Sequence, residues 1–311
     1  MDLYLPIAEM PVSILAVLAM GGAVGFISGL FGVGGGFLMT PLLIFAGIPP
    51  AVAVASVTPQ IVASSTSGAL SYFRRNLVDF KLAGILILAG AFGAIIGAQL
   101  FAILGRAGQL TIVIAICYTV FLATIGGLTL KEAVGAMRKS REAARRGHAP
   151  PPTRSANTHN WVHKLPLKVR FRRSRLYISV LPVIGLGFTI SFLGTLLGIG
   201  GGFIMVPALI YILKVPTAVV VGTSLVQIVG VMSIATVMHS VASQTVDAFL
   251  AFILMIGGVF GAQFGAAMGQ ALRGEHLRAL LGLLVLAVGI RFAVNLVLPP
   301  DDLFAITVIG P

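Results

Sequence analysis

Charge is scarce in this chain. Asp, Glu, Lys and Arg make up 10% of its 311 residues, against 58% hydrophobic ones, whereas a soluble domain carries about a quarter charged residues. So few charges cannot keep a surface in water, and lipid becomes the natural solvent. Cysteine is nearly missing as well. Cys117 is the single copy, which excludes an intrachain disulfide framework and a thiolate metal cluster. None of the nine acidic residues lies in the middle of an apolar run, and Asp79 and Asp247 sit where runs begin. This disfavours a buried carboxylate as carrier of a proton or sodium ion. There is also no matched Ser/His pair, no metal-ligand cluster and no cofactor motif, so the chain does not read as an enzyme. A basic leader is absent too: the chain starts Met1-Asp2-Leu3-Tyr4, and the first apolar run is expected to be a retained span.

The charge that is present is concentrated. Of the 21 Lys and Arg, 13 fall between Lys131 and Arg175, and the net charge of +12 belongs largely to that segment. A basic loop beside membrane spans marks the cytoplasmic face. Its expected partner is anionic lipid headgroups, not nucleic acid. A short helix is expected near 131–146.

Apolar runs of about 20 residues, long enough to cross the hydrocarbon core as helices, occur at 11–31, 52–72, 82–104, 109–130, 176–197, 217–240, 246–270 and 277–298. Two shorter apolar pieces, 35–47 and 201–213, sit between glycine clusters and proline, which are helix breakers. The halves match. Residues 32–44 read GVGGGFLMTPLLI and residues 198–210 read GIGGGFIMVPALI, identical at nine of thirteen positions. Ser56-Val57-Thr58-Pro59-Gln60 aligns with Thr223-Ser224-Leu225-Val226-Gln227, and Gly90, Gly93 and Gly97 with Gly257, Gly261 and Gly265. The expected organisation is a first membrane repeat at 1–130, a basic cytoplasmic linker at 131–175 and a second repeat at 176–311. Each repeat has four full spans and one short broken half-helix, in an all-α polytopic fold.

Charge placement favours five crossings per half. With the N-terminus outside, Arg74, Arg75, Lys81, the linker, Lys214, Arg273 and Arg278 fall inside, and Arg106 alone opposes the positive-inside rule. An odd number of crossings makes the two copies inverted, a design common among alternating-access carriers. Both termini are then periplasmic and the linker cytoplasmic.

The glycine clusters carry the chemistry. Gly34, Gly35, Gly36 and Gly200, Gly201, Gly202 each precede a short apolar helix. The first amides of a helix lack intrahelical acceptors, and its N-terminus is partially positive. Two such ends meeting inside the membrane would form an anion site built mostly of backbone. Ser56, Thr58 and Gln60, with Thr223, Ser224 and Gln227 in the matching place, can hydrogen-bond anionic oxygens without adding a buried charge. The same residue types also bond between helices. Gly21, Gly25 and Gly29 have the spacing of close helix packing. His239, near the end of its span, and Arg291 are candidates for anion attraction or coupling, with packing and snorkelling as their alternatives.

The duplicated GVGGGFLMTPLLI and GIGGGFIMVPALI, followed by Ser/Thr/Gln helices, resemble the sulfite exporter TauE/SafE family, also called the toluene sulfonate uptake permease family. The resemblance covers the chain apart from the basic linker. It implies transport of a small organosulfur or related anion, such as sulfite, sulfoacetate or another sulfonate, across a bacterial inner membrane. An anion channel with the same glycine-lined pore is the alternative. Substrate, direction, coupling ion and oligomeric state stay open, a homodimer being among the states allowed.

Overall fold

The computed structural model describes residues 2–31, 35–145, 166–171, 173, 176–213, 215, 217–269 and 274–297. A hairpin of β1 (Asp2–Leu5) and β2 (Met10–Ser13) leads into α1 (Ile14–Phe31), the short α2 (Gly36–Phe45), α3 (Pro50–Arg74), α4 (Phe80–Arg106) and α5 (Leu110–Arg145). A second hairpin, β3 (Lys168–Phe171) and β4 (Leu176–Ser179), leads into α6 (Val180–Leu197), the short α7 (Gly202–Tyr211) and α8 (Thr217–Met238). A π-helical turn at His239–Ser243 follows, then α9 (Ala248–Gly269) and α10 (Gly274–Val297).

Each long apolar run of the sequence falls on one long helix, and the two short pieces fall on α2 and α7. Among the described residues, five stretches are apolar and long enough to cross a membrane: Phe80–Arg106, Leu110–Lys131, Val180–Leu197, Val219–Ser243 and Ala248–Gly265. Large apolar side chains face outward on two of these helices: Leu88, Phe92 and Ile103 on α4, and Phe252, Phe260 and Phe264 on α9. Apolar exposure on this scale suits lipid, not water. The helices α2 and α7 have ten residues each. Each therefore rises about 15 Å, half of a hydrocarbon core of about 30 Å.

The hairpins were not expected. The runs starting at 11 and 176 begin as strand and turn helical at Ile14 and Val180, because short apolar segments do not distinguish strand from helix. Both hairpins pair antiparallel, and each register position of the second lies 166 residues after its counterpart in the first, Asp2 with Ser13 and Lys168 with Ser179. Within 131–175, α5 continues to Arg145 and the first strand of the second hairpin occupies Lys168–Phe171. Residues 146–165, 172, 174 and 175 lie outside the described residues.

The chain forms two compact units, and their boundaries do not follow its halves. One comprises Met1–Leu110 and Pro151–Arg273, the other Thr111–Pro150 and Gly274–Pro311. In the first unit α1 packs along α9, α4 along α6, and α3 along α8. Glycine sets the first two contacts. A methyl group on Gly25 would overlap the backbone of Gly258, one on Gly29 that of Ala262, and one on Gly261 that of Gly22. On the other pair, Gly93 lies against Phe188 and Gly97 against the Phe192 carbonyl. Lipid gives helices no hydrophobic reason to associate, so backbone-close van der Waals contact does that work. In the second unit α5 and α10 touch through Gly126, Gly282 and Gly289, and Tyr118 stacks on Phe292 with ring centroids 5.3 Å apart.

Helix starts are fixed by side chains. Asp79 Oδ1 accepts the Leu82 N–H at the start of α4, and Asp247 Oδ1 accepts the Phe249 and Leu250 N–H groups at the start of α9. Both aspartates are buried, and each satisfies amides that a helix leaves unpaired in its first turn.

Candidate functional site

The two glycine-rich helix starts meet inside the first unit. Gly36, the first residue of α2, lies against the backbone of Gly198 and Ile199, and Ile61 of α3 packs over both Gly36 and Gly200. Thr40 Oγ1 donates to the Gly198 carbonyl at 3.2 Å. Next to this contact Phe37 stacks on Phe203, centroids 4.6 Å apart and rings 9° from parallel. A side chain at Gly36 would displace this packing, so glycine is required there by close approach. On the other strand of the junction the reason is conformational. Gly198, Gly200 and Gly201 have φ of 68°, 79° and 74°, in the left-handed region that L side chains rarely adopt.

The two starts are not built alike. Gly201 is left-handed, and its carbonyl accepts Met205 N–H at 2.8 Å. Gly35 has φ −48°, and its N–H donates to Ser28 Oγ at 2.6 Å. Gly34 lies outside the described residues.

The polar residues expected at the site are all buried, but they do not converge on the glycines. Ser56 Oγ accepts the Asp247 N–H at 2.9 Å, and Thr223 Oγ1 accepts the Asp79 N–H at 3.0 Å. Thr58 Oγ1 donates to the Ala55 carbonyl and lies 3.0 Å from Thr236 Oγ1, while Ser224 Oγ donates to the Val221 carbonyl. Gln227 Nε2 donates to Ser191 Oγ at 3.2 Å, and its Oε1 has no partner among the described residues. Gln60 sits against Gly258, and neither of its amide atoms has a hydrogen-bond partner among the described residues. A buried amide in that state is costly, by about 1–3 kcal/mol per group, so Gln60 is the most available polar ligand of the set.

His239 is fully buried. Its Nε2 donates to the Thr195 carbonyl at 3.2 Å, and its ring meets Phe101 edge-on at 4.6 Å. Neither its Nδ1 nor Thr195 Oγ1 has a hydrogen-bond partner among the described residues. Arg291 is exposed on α10, in the other unit.

A cavity of about 320 Å³, lined by Ala51, Phe101, Arg106, Ser243 and Thr245 among others, lies at one end of the first unit. Of these residues only Arg106 stands out in the sequence, as the one charge that opposes the positive-inside rule. Thr40 does not, although it stands inside the repeated motif: its counterpart is Val206, and the mismatch hid its hydroxyl. Among the described residues no group of three His, Cys, Asp or Glu could hold a metal ion.

Helices with lipid-facing apolar surfaces around a core of broken short helices define a polytopic membrane transporter. The sequence profile of the sulfite exporter TauE/SafE family matches residues 17–292, and the chain belongs to that family. It is 28% identical over 282 residues to a probable membrane transporter protein of Xylella fastidiosa (strain 9a5c), covering 89% of this chain and 94% of the relative. It is 24% identical over 286 residues to the probable membrane transporter protein YunE of Bacillus subtilis (strain 168), covering 89% and 96%. A shorter match, 29% over 119 residues, covers 37% of this chain and 25% of the sulfite exporter TauE/SafE family protein 3 of Arabidopsis thaliana. These relatives are transporters by name, not enzymes. No solved structure matches the chain.

Proposed function

We propose that the protein is a secondary transporter of a small sulfur oxyanion or sulfonate, such as sulfite or sulfoacetate, across a bacterial inner membrane by alternating access. The observation that carries this reading is the meeting of the α2 and α7 starts, where Phe37 and Phe203, each the second residue of its helix, stack on one another. Two partially positive helix ends brought together by glycine backbone favour an anion. Gly34, Gly35, Gly36, Gly200, Gly201 and Gly202 line the site in this proposal, and Gln60 and Gln227 reorient toward the anion. Ser56 and Thr223 fix the adjacent helix starts.

The repeats are inverted in this reading, which requires contacts that exchange between the halves, and pairs of that kind are present. Gly93 touches Phe188 and Gly261 touches Gly22, two contacts related by exchanging positions 166–168 apart. The hairpins behave alike: Ile7 N–H donates to Asp247 Oδ2, and Arg173 Nη1 donates to the Asn76 carbonyl. The cavity favours five crossings per half. Four crossings would put Arg106 and Ser243 on opposite faces of the membrane, yet both line one cavity. Five put the loops before α3, after α4 and before α9 on one face, outside, with the basic segment in the cytoplasm.

Counter-exchange in proteoliposomes tests the function. Labelled sulfite or sulfoacetate inside should exchange saturably with unlabelled anion outside. Gly35→Val and Gly201→Val should abolish it, and unchanged exchange in both would sink the site. Continuous conduction without counter-exchange would favour the anion channel.

A further inference from the structure

The cavity beside Arg106 is unrelated to the glycine junction in sequence but joined to it by buried polar groups. Arg106 closes α4 and is exposed, while Ser243 and Thr245 present hydroxyls 2.9 Å apart on the same wall. Ala51 is the second residue of the 25-residue α3, whose first-turn amides lack intrahelical acceptors. The cavity therefore offers a guanidinium, two hydroxyls and a helix start, and no acidic residue is among its lining. Its volume holds a small oxyanion with several waters, at roughly 30 Å³ per water.

Phe101 lines the cavity, is 1% exposed, and its ring also meets the His239 ring edge-on. His239 Nδ1 and Thr195 Oγ1 are buried and have no hydrogen-bond partner among the described residues, and the His239–Thr195 hydrogen bond ties them together. Thr195 stands three residues before Gly198, which receives Thr40 and lies against Gly36. The π-helical turn at His239–Ser243 positions both ends of this line. Such turns are frequent at functional sites.

We propose that this cavity is an access vestibule for a small oxyanion, held by Arg106, Ser243 and Thr245, and that Phe101 is the aromatic gate between it and a buried polar step at His239 and Thr195. The vestibule rests on the transport reading above. The gate works by displacement of the Phe101 ring, which opens a polar path from the vestibule to the glycine junction.

Cysteine accessibility tests it without relying on transport. Cys117 is the only cysteine, so Cys117→Ser gives a clean background for Ser243→Cys or Thr195→Cys. Purified protein in nanodiscs is treated with anionic and cationic thiosulfonate reagents of equal size. Ser243→Cys should react readily. Adding Arg106→Gln should slow the anionic reagent about five-fold, the effect of one charge across roughly 4 Å of water, and speed the cationic one. Sulfoacetate, which does not itself attack the reagent, should protect this cysteine. Thr195→Cys should stay unreactive until Phe101→Ala is added, with Phe101→Leu as the milder second variant. Reagent rates insensitive to Arg106, no protection by sulfoacetate, or a Thr195→Cys that reacts fully with Phe101 in place would each overturn the assignment. Absence of any anion exchange by the unaltered protein would overturn the transport reading, while the reagent rates still judge gate and vestibule.

Discussion

The hydroxyl of Ser56 accepts the backbone N–H of Asp247 at 2.9 Å, joining α3 to the start of α9 across 191 residues of chain. Thr223 and Asp79 make the matching joint between α8 and α4 at 3.0 Å. In each joint the aspartate side chain caps the helix that its own backbone begins. Polar residues in adjacent positions of the two halves are thus tied crosswise, and the joints hold the long helices around the glycine junction.

Removing these hydroxyls should cost stability. Ser56→Ala and Thr223→Val each leave a buried N–H unpaired, a loss of about 1–3 kcal/mol. The sites lie in separate joints, so the double variant should lose close to the sum. Thermal unfolding in detergent measures this, and a double variant as stable as the unaltered protein would show that the joints carry no load.

Glycine substitutions should divide by contact. Gly25→Ala and Gly261→Ala place a methyl group in a neighbouring backbone, overpacking that costs about 1–3 kcal/mol or more. Gly84→Ala, in α4 with nothing within 4 Å, should be neutral or stabilise by about 0.5–1 kcal/mol through helix propensity. The melting temperatures should therefore move in different directions.

Much of this fold was legible from residues alone. The apolar runs located every long helix, and the repeated glycine motif located α2 and α7, because length and helix breakers act locally. The packing of Gly21, Gly25 and Gly29 could be read from their spacing, since only small residues let membrane helices approach. The hairpins escaped notice because strands of four residues are too short to carry a period of their own. Partner choice escaped too. Nothing local says that Ser56 faces Asp247 while Gln60 faces Gly258, since both follow from how α9 crosses α3. The cavity drew on Phe101, Arg106 and Ser243, three residues without a shared motif.

Gly201 should be less tolerant than Gly35 in backbone terms. Its φ of 74° makes Ala strained by about 1–3 kcal/mol, whereas Gly35 at −48° accepts an L residue's backbone. At Gly35 a methyl instead meets Ser28 and Val24 side chains at 3.0 and 3.1 Å, which can give slightly. Gly201→Ala should thus lower the melting temperature more than Gly35→Ala does, and equal losses would argue that space, not φ, selects glycine at both.

Gln60 and Gln227 should separate stability from transport. Gln227 is anchored by Ser191, but position 25, which lies 166 residues before Ser191, is glycine and offers Gln60 no hydroxyl. Gln60→Leu removes two unpaired buried polar atoms and keeps much of the volume, so it should leave stability unchanged or raise it by about 1 kcal/mol. Gln227→Leu breaks a made bond and should lower stability by about 1 kcal/mol. If Gln60 is the amide that turns to the substrate, Gln60→Leu should still cut anion exchange at least ten-fold in the more stable protein. Gly25→Ser, which supplies the missing hydroxyl, would crowd Gly258 and is no substitute for that test. A Gln60→Leu protein that is more stable and exchanges normally would assign the amide no part in binding and leave the glycine backbone as the anion's main contact.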